Sequence, residues 1–356
     1  MRCVRIPNSF PHLECVHTAF SSRERNEELS TLLAPHSILL NVMDKLMNII
    51  HLLARSLNED DITIKNYLAK APLKYKVFAI PKRTHGHRII AQPARELKRY
   101  QRAFINYIEF PIHDCASAYI KNRSIKNNAE HHKENSFLLK MDLENFFNSI
   151  TPQIFWDAWR ENFPLPDKEQ MYYFERLLFW DVGNNELVLS VGAPSSPMVS
   201  NFCMYLFDST IYSFCKSRSI TYTRYADDLT FTTNLKSNLF DIPNEIQVIL
   251  KNNFSDQIKI NRSKTKFSSK AHNRHITGIT ITNDNKISIG RNRKRYIKHL
   301  IHQFSISKME QSDLYHLKGL ISFAMYIEPE FFNALTKKYG SSIINCIMSN
   351  NNGKNN

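Results

Sequence analysis

Two acids stand side by side in Tyr222-Thr223-Arg224-Tyr225-Ala226-Asp227-Asp228-Leu229-Thr230-Phe231-Thr232, where β-branched and aromatic runs flank a very short polar turn. The pattern predicts a hairpin with both aspartates at its tip. Adjacent anions repel, and a divalent cation removes that cost most readily, although a solvated Asp-rich turn has the same local composition. A third acid shifts the balance. Phe137-Leu138-Leu139-Lys140-Met141 is a short apolar run that ends on Asp142, as a buried strand delivering a carboxylate would. Asp142 beside the hairpin tip would complete a site for two Mg²⁺ about 3.5–4 Å apart, one activating an attacking hydroxyl and the other stabilising a leaving pyrophosphate oxygen. Aspartates suit that task because hard cations take oxygen ligands and short side chains hold them rigidly. Glu144, two residues on, is read as solvated.

Several elements must position these acids. Val77-Phe78-Ala79-Ile80, then Pro81 to His87, then Arg88-Ile89-Ile90 reads as strand, turn and strand with a basic tip. Helical spacing marks Ile38–Leu53, Ile62–Leu68, Leu97–Ile108 and most of Trp156–Phe179. Gly192-Ala193-Pro194-Ser195-Ser196-Pro197 leads into a helix from about Met198 to Cys215. Ile276 to Ile281 alternates as a strand, and Leu317 to Phe323 is helical. From Ile289 to Phe304 an apolar stripe of Tyr296, Ile297, Leu300, Ile301 and Phe304 runs beside a basic face of Arg291, Arg293, Lys294 and Lys298. Such a face either reaches phosphates or is simply solvated, and the stripe lacks the exposed Trp and Leu that a membrane-inserting helix uses.

The whole chain fits a polyanion partner. Its 356 residues carry 47 Lys and Arg against 33 Asp and Glu, a net charge of +14, with 12% aromatics, and nucleic acid is the first expectation. With 42% hydrophobic residues and only 8 Gly, disordered and collagen-like readings are excluded, and the length suggests two or three packed subdomains. Cys3, Cys15, Cys115, Cys203, Cys215 and Cys346 never form C-x-x-C, which argues against a disulfide framework or structural zinc. No secretion signal is evident, and Asp44, Lys45 and His51 interrupt the apolar stretch Ile38–Ala54. A soluble, cytoplasmic protein of a reducing compartment is expected, with residues 1–30 a weakly structured extension and the Asn-rich tail after Ser349 frayed.

In this order the segments around Asp142, Gly192–Pro197 and Asp227-Asp228 resemble motifs A, B and C of reverse transcriptases. Phe78-Ala79-Ile80-Pro81-Lys82 with Arg88 resembles their fingers segment, and Asn261-Arg262-Ser263-Lys264-Thr265 their motif D, so the likeness runs from about Tyr75 to Phe332. Asn128-Ala129-Glu130-His131-His132 and Ile276-Thr277-Gly278, the latter with Ile in place of Val, are similar to the two hallmarks of the bacterial retron type. The chain ends soon after the thumb-like region, without room for the extra segments of a group II intron enzyme.

The resemblance implies an α+β right-hand polymerase: an N-terminal extension (1–30), helices and fingers (31–135), an antiparallel palm (136–285), a helical thumb (286–348) and a tail (349–356). It implies Asp142, Asp227 and Asp228 as catalytic acids, with the Leu143 carbonyl as a further ligand to two Mg²⁺. Lys82, Arg88, Asn145, Phe146, Phe147 and Gly192 would meet the nucleotide. Phe147, five residues after Asp142, matches the steric gate against a ribose 2′-hydroxyl, and Phe146 is assigned to the core. Gly192 and Pro194 would form a backbone turn that lets template and base pair approach. Lys264 is a candidate proton donor to pyrophosphate, although Arg262, Lys264 and Lys266 could equally face phosphates. Asn128, His132, Thr277, Gly278, Arg291, Arg293, Lys294 and Lys298 would contact nucleic acid, with a capping or core histidine as the other reading of His132. Val191 stands where many reverse transcriptases have Gln, so that side-chain contact to the nucleotide is missing.

The partners implied are deoxynucleoside triphosphates, a structured noncoding RNA that supplies template and a priming 2′-hydroxyl, its branched DNA product (msDNA), and an effector protein in antiphage defence, without a membrane. Another bacterial reverse transcriptase, group II intron-like or defence-associated, is the enzyme alternative. A catalytically vestigial RNA-binding scaffold is the other, and the intact acids argue against it.

Overall fold

Side-chain alternation along one strand decides how the chain is layered. The structure, a computed structural model, describes residues 48–81 and 86–349; the expected N-terminal extension, the start of the Ile38 helix, Lys82 and the tail after Ser349 lie outside them. In chain order come α1 (Ile49–Leu57), α2 (Asp61–Leu68), β1 (Tyr75–Pro81), β2 (His87–Pro93), α3 (Arg95–Tyr107), α4 (Ile125–Glu130) and β3 (Phe137–Glu144). They are followed by α5 (Pro152–Asn162), α6 (Lys168–Leu178), β4 (Trp180–Asp181), β5 (Leu187–Val188), α7 (Ser196–Cys203), α8 (Tyr205–Ser217), β6 (Thr221–Tyr225) and β7 (Asp228–Thr233). The last part holds α9 (Ile242–Phe254), β8 (Lys259–Ile260), β9 (Lys266–Ser269), β10 (Arg274–Ile276), β11 (Ile279–Ile281), β12 (Ile287–Ser288) and helices α10 (Arg291–Ser305), α11 (Gln311–Ile327), α12 (Pro329–Tyr339) and α13 (Ser341–Ser349).

Strand β3 is the centre of the main sheet. It pairs antiparallel with β7 on one side and with β9 and β8 on the other, and β6 closes the edge as the partner of β7. Because strand side chains alternate faces, Leu139, Met141 and Leu143 enter the larger hydrophobic core, while Leu138 enters a second core formed with β10–β12 and α10–α13. Asp142 shares Leu138's parity and so stays out of the larger core. That core is dense in rings: Phe110 stacks on Phe202 at 4.3 Å, and Phe155, Trp159 and Phe174 meet edge to face around them. No helix among the described residues is long and apolar enough to cross a membrane.

Two expected long helices are broken. The Trp156–Phe179 stretch splits into α5 and α6 because Pro164 and Pro166 lack the N–H a helix needs, and Asp167 then caps α6 by accepting from the Gln170 N–H. The stretch from Met198 divides at Met204, whose φ/ψ of −89°/0° leaves the helical region between α7 and α8. In α10 the buried stripe is Ile297, Leu300 and Ile301, whereas Tyr296 is 45% exposed.

Gly192 joins two layers. Its φ of 128° is a glycine conformation, and a Cβ there would lie 3.3 Å from the Ala91 carbonyl oxygen and 3.5 Å from Ile90 Cγ2. The backbone of β2 thus approaches Gly192 closely on the side where a Cβ would stand. Gly192→Val should lower unfolding free energy by about 1–3 kcal/mol in denaturant titrations; an unchanged midpoint would contradict this packing.

Candidate active site

The register of β3 against β7 sets Asp142 directly opposite Asp228. Asp227 is fixed beside them because its carbonyl accepts the Leu143 N–H at 2.9 Å. The loop between β6 and β7 is only Ala226-Asp227, and Ala226 has φ 58°, a left-handed conformation that costs a non-glycine residue energy and persists only where its surroundings enforce it. The enforcement comes from Arg224. It is fully buried together with Asp208 of α8, donates Nε and Nη2 to that carboxylate at 2.6–3.0 Å, and gives Nη1 to the Ala226 carbonyl at 3.2 Å and Asn201 Oδ1 at 3.1 Å. Burial opposes the guanidinium charge, but Asp208 outweighs it and raises the pKa. Tyr222 also donates to Asp208, at 3.0 Å.

Like charges leave their mark on the acids. Burial, then Asp142 and Asp228, push the Asp227 carboxyl up to about 6; burial is also the largest cause of the upward shift at Asp228. One cation already answers this cluster: Lys264 Nζ lies 2.7 Å from Asp142 Oδ1, while the Asn261 N–H, from the same turn, donates to the Asp142 carbonyl at 2.7 Å. Among the described residues no three acidic, His or Cys side chains form a ready metal cage. The donor set fits a hard cation all the same, since carboxylate oxygens are the ligands Mg²⁺ prefers and an ammonium group already occupies one of them.

A cleft of about 760 Å³ opens over these groups, lined by Arg88, Tyr119, Asp142, Phe147, Asp227 and Lys264 among others. Arg88 reaches it from β2, opposite Ile80. Asn145 lines the cleft too, and its left-handed backbone (φ 47°) turns the chain into a short 3₁₀ segment over Phe146–Ser149. As a result Phe146 is buried in the larger core with only an edge on the cleft, while Phe147 is half-buried at the wall. Leu143 is buried beneath them.

Other expected contacts fall elsewhere. Asn128 and His132, expected on nucleic acid, are 0% exposed; threonine hydroxyls of β6 and β7 meet both His132 nitrogens and Asn128 Oδ1 from inside. Thr277 and Gly278, with φ 47° and 84°, make the turn between β10 and β11. Gly278 lines a basic groove of about 1280 Å³ with Arg291, Arg293, Lys294, Arg295 and Lys270. Lys294 does not offer a free charge there. It is paired with Glu328 and lies 5.2 Å over the Phe331 ring. Arg293 stacks over Phe323 at 5.0 Å, and Lys298 is exposed, 5.7 Å over Phe331.

Three contributors were missed from sequence. Tyr119, 53% exposed with φ 64°, sits 6.3 Å from the Phe147 ring, but nothing in its local pattern marks it. Asp208 did carry a signal, an acid directly after the apolar and aromatic run Phe202 to Phe207, and its partner Arg224 lies in the strand leading to the acids.

An antiparallel sheet that sets Asp142 and Asp227 in the wall of a cleft with Asp228 across the strands from Asp142, beside a hairpin that brings Arg88 to the same cleft, defines a right-hand nucleic-acid polymerase. Residues 80–281 match the family described as reverse transcriptase (RNA-dependent DNA polymerase). The chain is 48% identical to the Escherichia coli retron Ec83 reverse transcriptase over 77% of its own length and 89% of that protein, 30% identical to the retron Ec73 enzyme over 77% and 90%, and 28% identical to the retron Ec86 enzyme over 84% and 93%, both from the same organism. The chain belongs to the retron reverse transcriptases and is an RNA-directed DNA polymerase.

The Asp227 shift has a testable sign. Its folded-state pKa of about 6 exceeds the ordinary 3.8, so the folded chain holds a proton that the unfolded chain has already released, and stability falls as pH rises through that window. Without divalent cations, Asp227→Asn should melt a few degrees above wild type near pH 7.5, with the gap closing toward about pH 4; equal melting temperatures near pH 7.5 would count against repulsion among the acids.

Proposed function

We propose that this enzyme copies a structured noncoding RNA, starting from a 2′-hydroxyl of that RNA and continuing from DNA 3′-hydroxyls, to give a branched RNA–DNA product (msDNA) that serves antiphage defence with a separate effector protein. The observation that carries the chemistry is Asp142 paired across the sheet with Asp228 and tied through Leu143 to Asp227. The extent of identity to the retron Ec83 enzyme supports the retron-type reaction.

In this reading the hydroxyl oxygen gives up its proton to solvent and bonds to the α-phosphorus of a deoxynucleotide as the bond to the β-phosphate breaks and pyrophosphate leaves. Asp142, Asp227, Asp228 and the Leu143 carbonyl would hold two Mg²⁺, which supply a more acidic attacking hydroxyl and charge neutralisation at the leaving oxygens. Arg88 contributes a fork of donors to the triphosphate and Lys82 a point charge. Phe147 rejects ribonucleotides by clash with the 2′-hydroxyl. Lys264 would exchange Asp142 for the leaving pyrophosphate and give it a proton. With Val191 in the cleft wall, nucleotide affinity rests on these groups and the backbone.

The path of a single-stranded template is supported by a run of hollows. The cleft shares Tyr119, Phe147 and Val191 with a hollow of about 310 Å³, which shares Lys98 and Arg102 with a groove of about 660 Å³ carrying Lys74, Lys76 and Arg95. No acid lines the outer two, and none of these five cations has a carboxylate partner among the described residues.

Two measurements test the proposal. Sequencing nucleic acid copurified with the enzyme and its cognate RNA should reveal a 2′,5′-branched hybrid from wild type and RNA alone from the Asp227→Asn, Asp228→Asn double variant; DNA made by that variant would refute the assignment of the acids, and an unbranched product would favour another reverse transcriptase class. Lys98→Glu with Arg102→Glu should weaken template RNA binding at least ~10-fold and flatten the salt dependence by about 1.4 in log–log slope, two single-strand phosphate contacts; an unchanged slope would remove the groove from the template path.

A further inference from the structure

The Asn-Ala-x-x-His hallmark, expected to read RNA, has no surface to read it with, yet its hydrogen bonds run to the strands that carry two of the acids. His132 Nε2 lies 2.7 Å from Thr223 Oγ1 and Nδ1 lies 2.7 Å from Thr232 Oγ1. Thr223 Oγ1 donates to Asn128 Oδ1 at 2.7 Å, and Asn135 Nδ2 donates to Thr232 Oγ1 at 2.8 Å.

Proton counting orders this set. A hydroxyl has one proton, and in this amide orientation that of Thr223 goes to Asn128, so Thr223 must accept from Nε2–H. A buried imidazole is held neutral, its pKa lowered to about 3 by desolvation and then by His131, and therefore has one N–H; Nδ1 accepts from the Thr232 hydroxyl, which accepts from Asn135. Only Asn128 Nδ2 finds no partner. The chain of bonds thus has a single direction, and it grips β6 and β7 four residues before Asp227 and four after Asp228.

The far side of the same helix is anchored elsewhere. Ala129 of α4 is buried in the core shared with Ile276, Ile279 and Leu317, Lys126 Nζ donates to the Tyr326 carbonyl at 3.0 Å, and the Tyr326 hydroxyl donates to Ser124 Oγ at 2.7 Å. Arg224 and Asp208 hold the hairpin from its other face, since Tyr222 and Arg224 alternate with Thr221 and Thr223 along β6.

We infer that Asn128 and His132 are positioning residues, which fix the Asp227-Asp228 hairpin to a helix seated in the thumb core and so set the aspartates against Asp142. They touch neither substrate nor RNA. The inference rests on the polymerase reading above, and it predicts a loss of turnover without a loss of binding, because a displaced carboxylate weakens the transition state more than the ground state.

The test compares wild type with Thr223→Val, His132→Leu and His132→Gln on the full chain, measuring kcat and KM for deoxynucleotide on a primed RNA template together with template Kd and melting temperature. Thr223→Val keeps the shape of the strand residue and removes the bridging hydroxyl; it should cut kcat ~10–100-fold, with KM and Kd within about twofold. His132→Leu should do the same, and His132→Gln, which restores one donor and one acceptor, should recover most of kcat. Should His132→Leu not fold, Thr223→Val decides the matter. A folded Thr223→Val enzyme with wild-type kcat overturns the inference, and so does a loss of template binding with kcat retained, which would return these residues to RNA recognition. If wild type itself made no DNA on the RNA template, the polymerase reading would fall instead.

Discussion

Strand β3 meets β7 in a register that crowds three carboxylates at one end of the sheet, and much of the surrounding structure answers that repulsion. Unit charges about 4 Å apart near a protein surface repel by roughly 4 kcal/mol. Removing one partner of a buried ion pair costs a similar amount, about 3–5 kcal/mol. Arg224, neutralised by Asp208, holds the Ala226 turn that carries Asp227. It does so by spending one guanidinium nitrogen on the Ala226 carbonyl, which keeps a left-handed alanine where glycine would be the usual choice. Lys264 opposes the same repulsion from solvent, through Asp142.

Geometry and electrostatics are divided between the two faces of the hairpin. One face carries Tyr222, Arg224, Leu229 and Phe231 toward the larger core, with the Tyr222 and Phe231 rings stacked at 4.9 Å. The other presents Thr223 and Thr232 to Asn128 and His132. A turn clamped from both faces loses little entropy when substrate arrives, which is the condition for preorganised catalysis.

Much of this was legible in the sequence because short apolar or β-branched runs that end on acids or turn residues are a local signal. The run from Phe137 to Met141 and the Tyr222–Thr232 hairpin could be read without knowing their neighbours, and the basic Val77–Ile90 hairpin likewise. The helix breaks were also written locally, in Pro164 and Pro166, but a longer apolar periodicity masked them. The burial of Asn128 and His132 and the pairing of Lys294 were hidden for another reason. A polar side chain does not reveal whether its partner will be solvent, phosphate or protein, and their partners Thr223, Thr232 and Glu328 lie 95, 100 and 34 residues away. The Lys98–Arg102 groove escaped notice because its cations are scattered over several segments and assemble only when β1, β2 and α3 fold together.

Leu138 and Leu139 are neighbours in the chain, yet they belong to different hydrophobic interiors. Among the described residues, only Ala129 and Leu138 of the buried members of the smaller interior come from the chain before Arg274. Two residues are a narrow seam across which mutations in one half can be felt in the other. A cavity opened at Leu138 would therefore be felt twice, in the strand that carries Asp142 and in the packing of β10–β12 and α10–α13 against it.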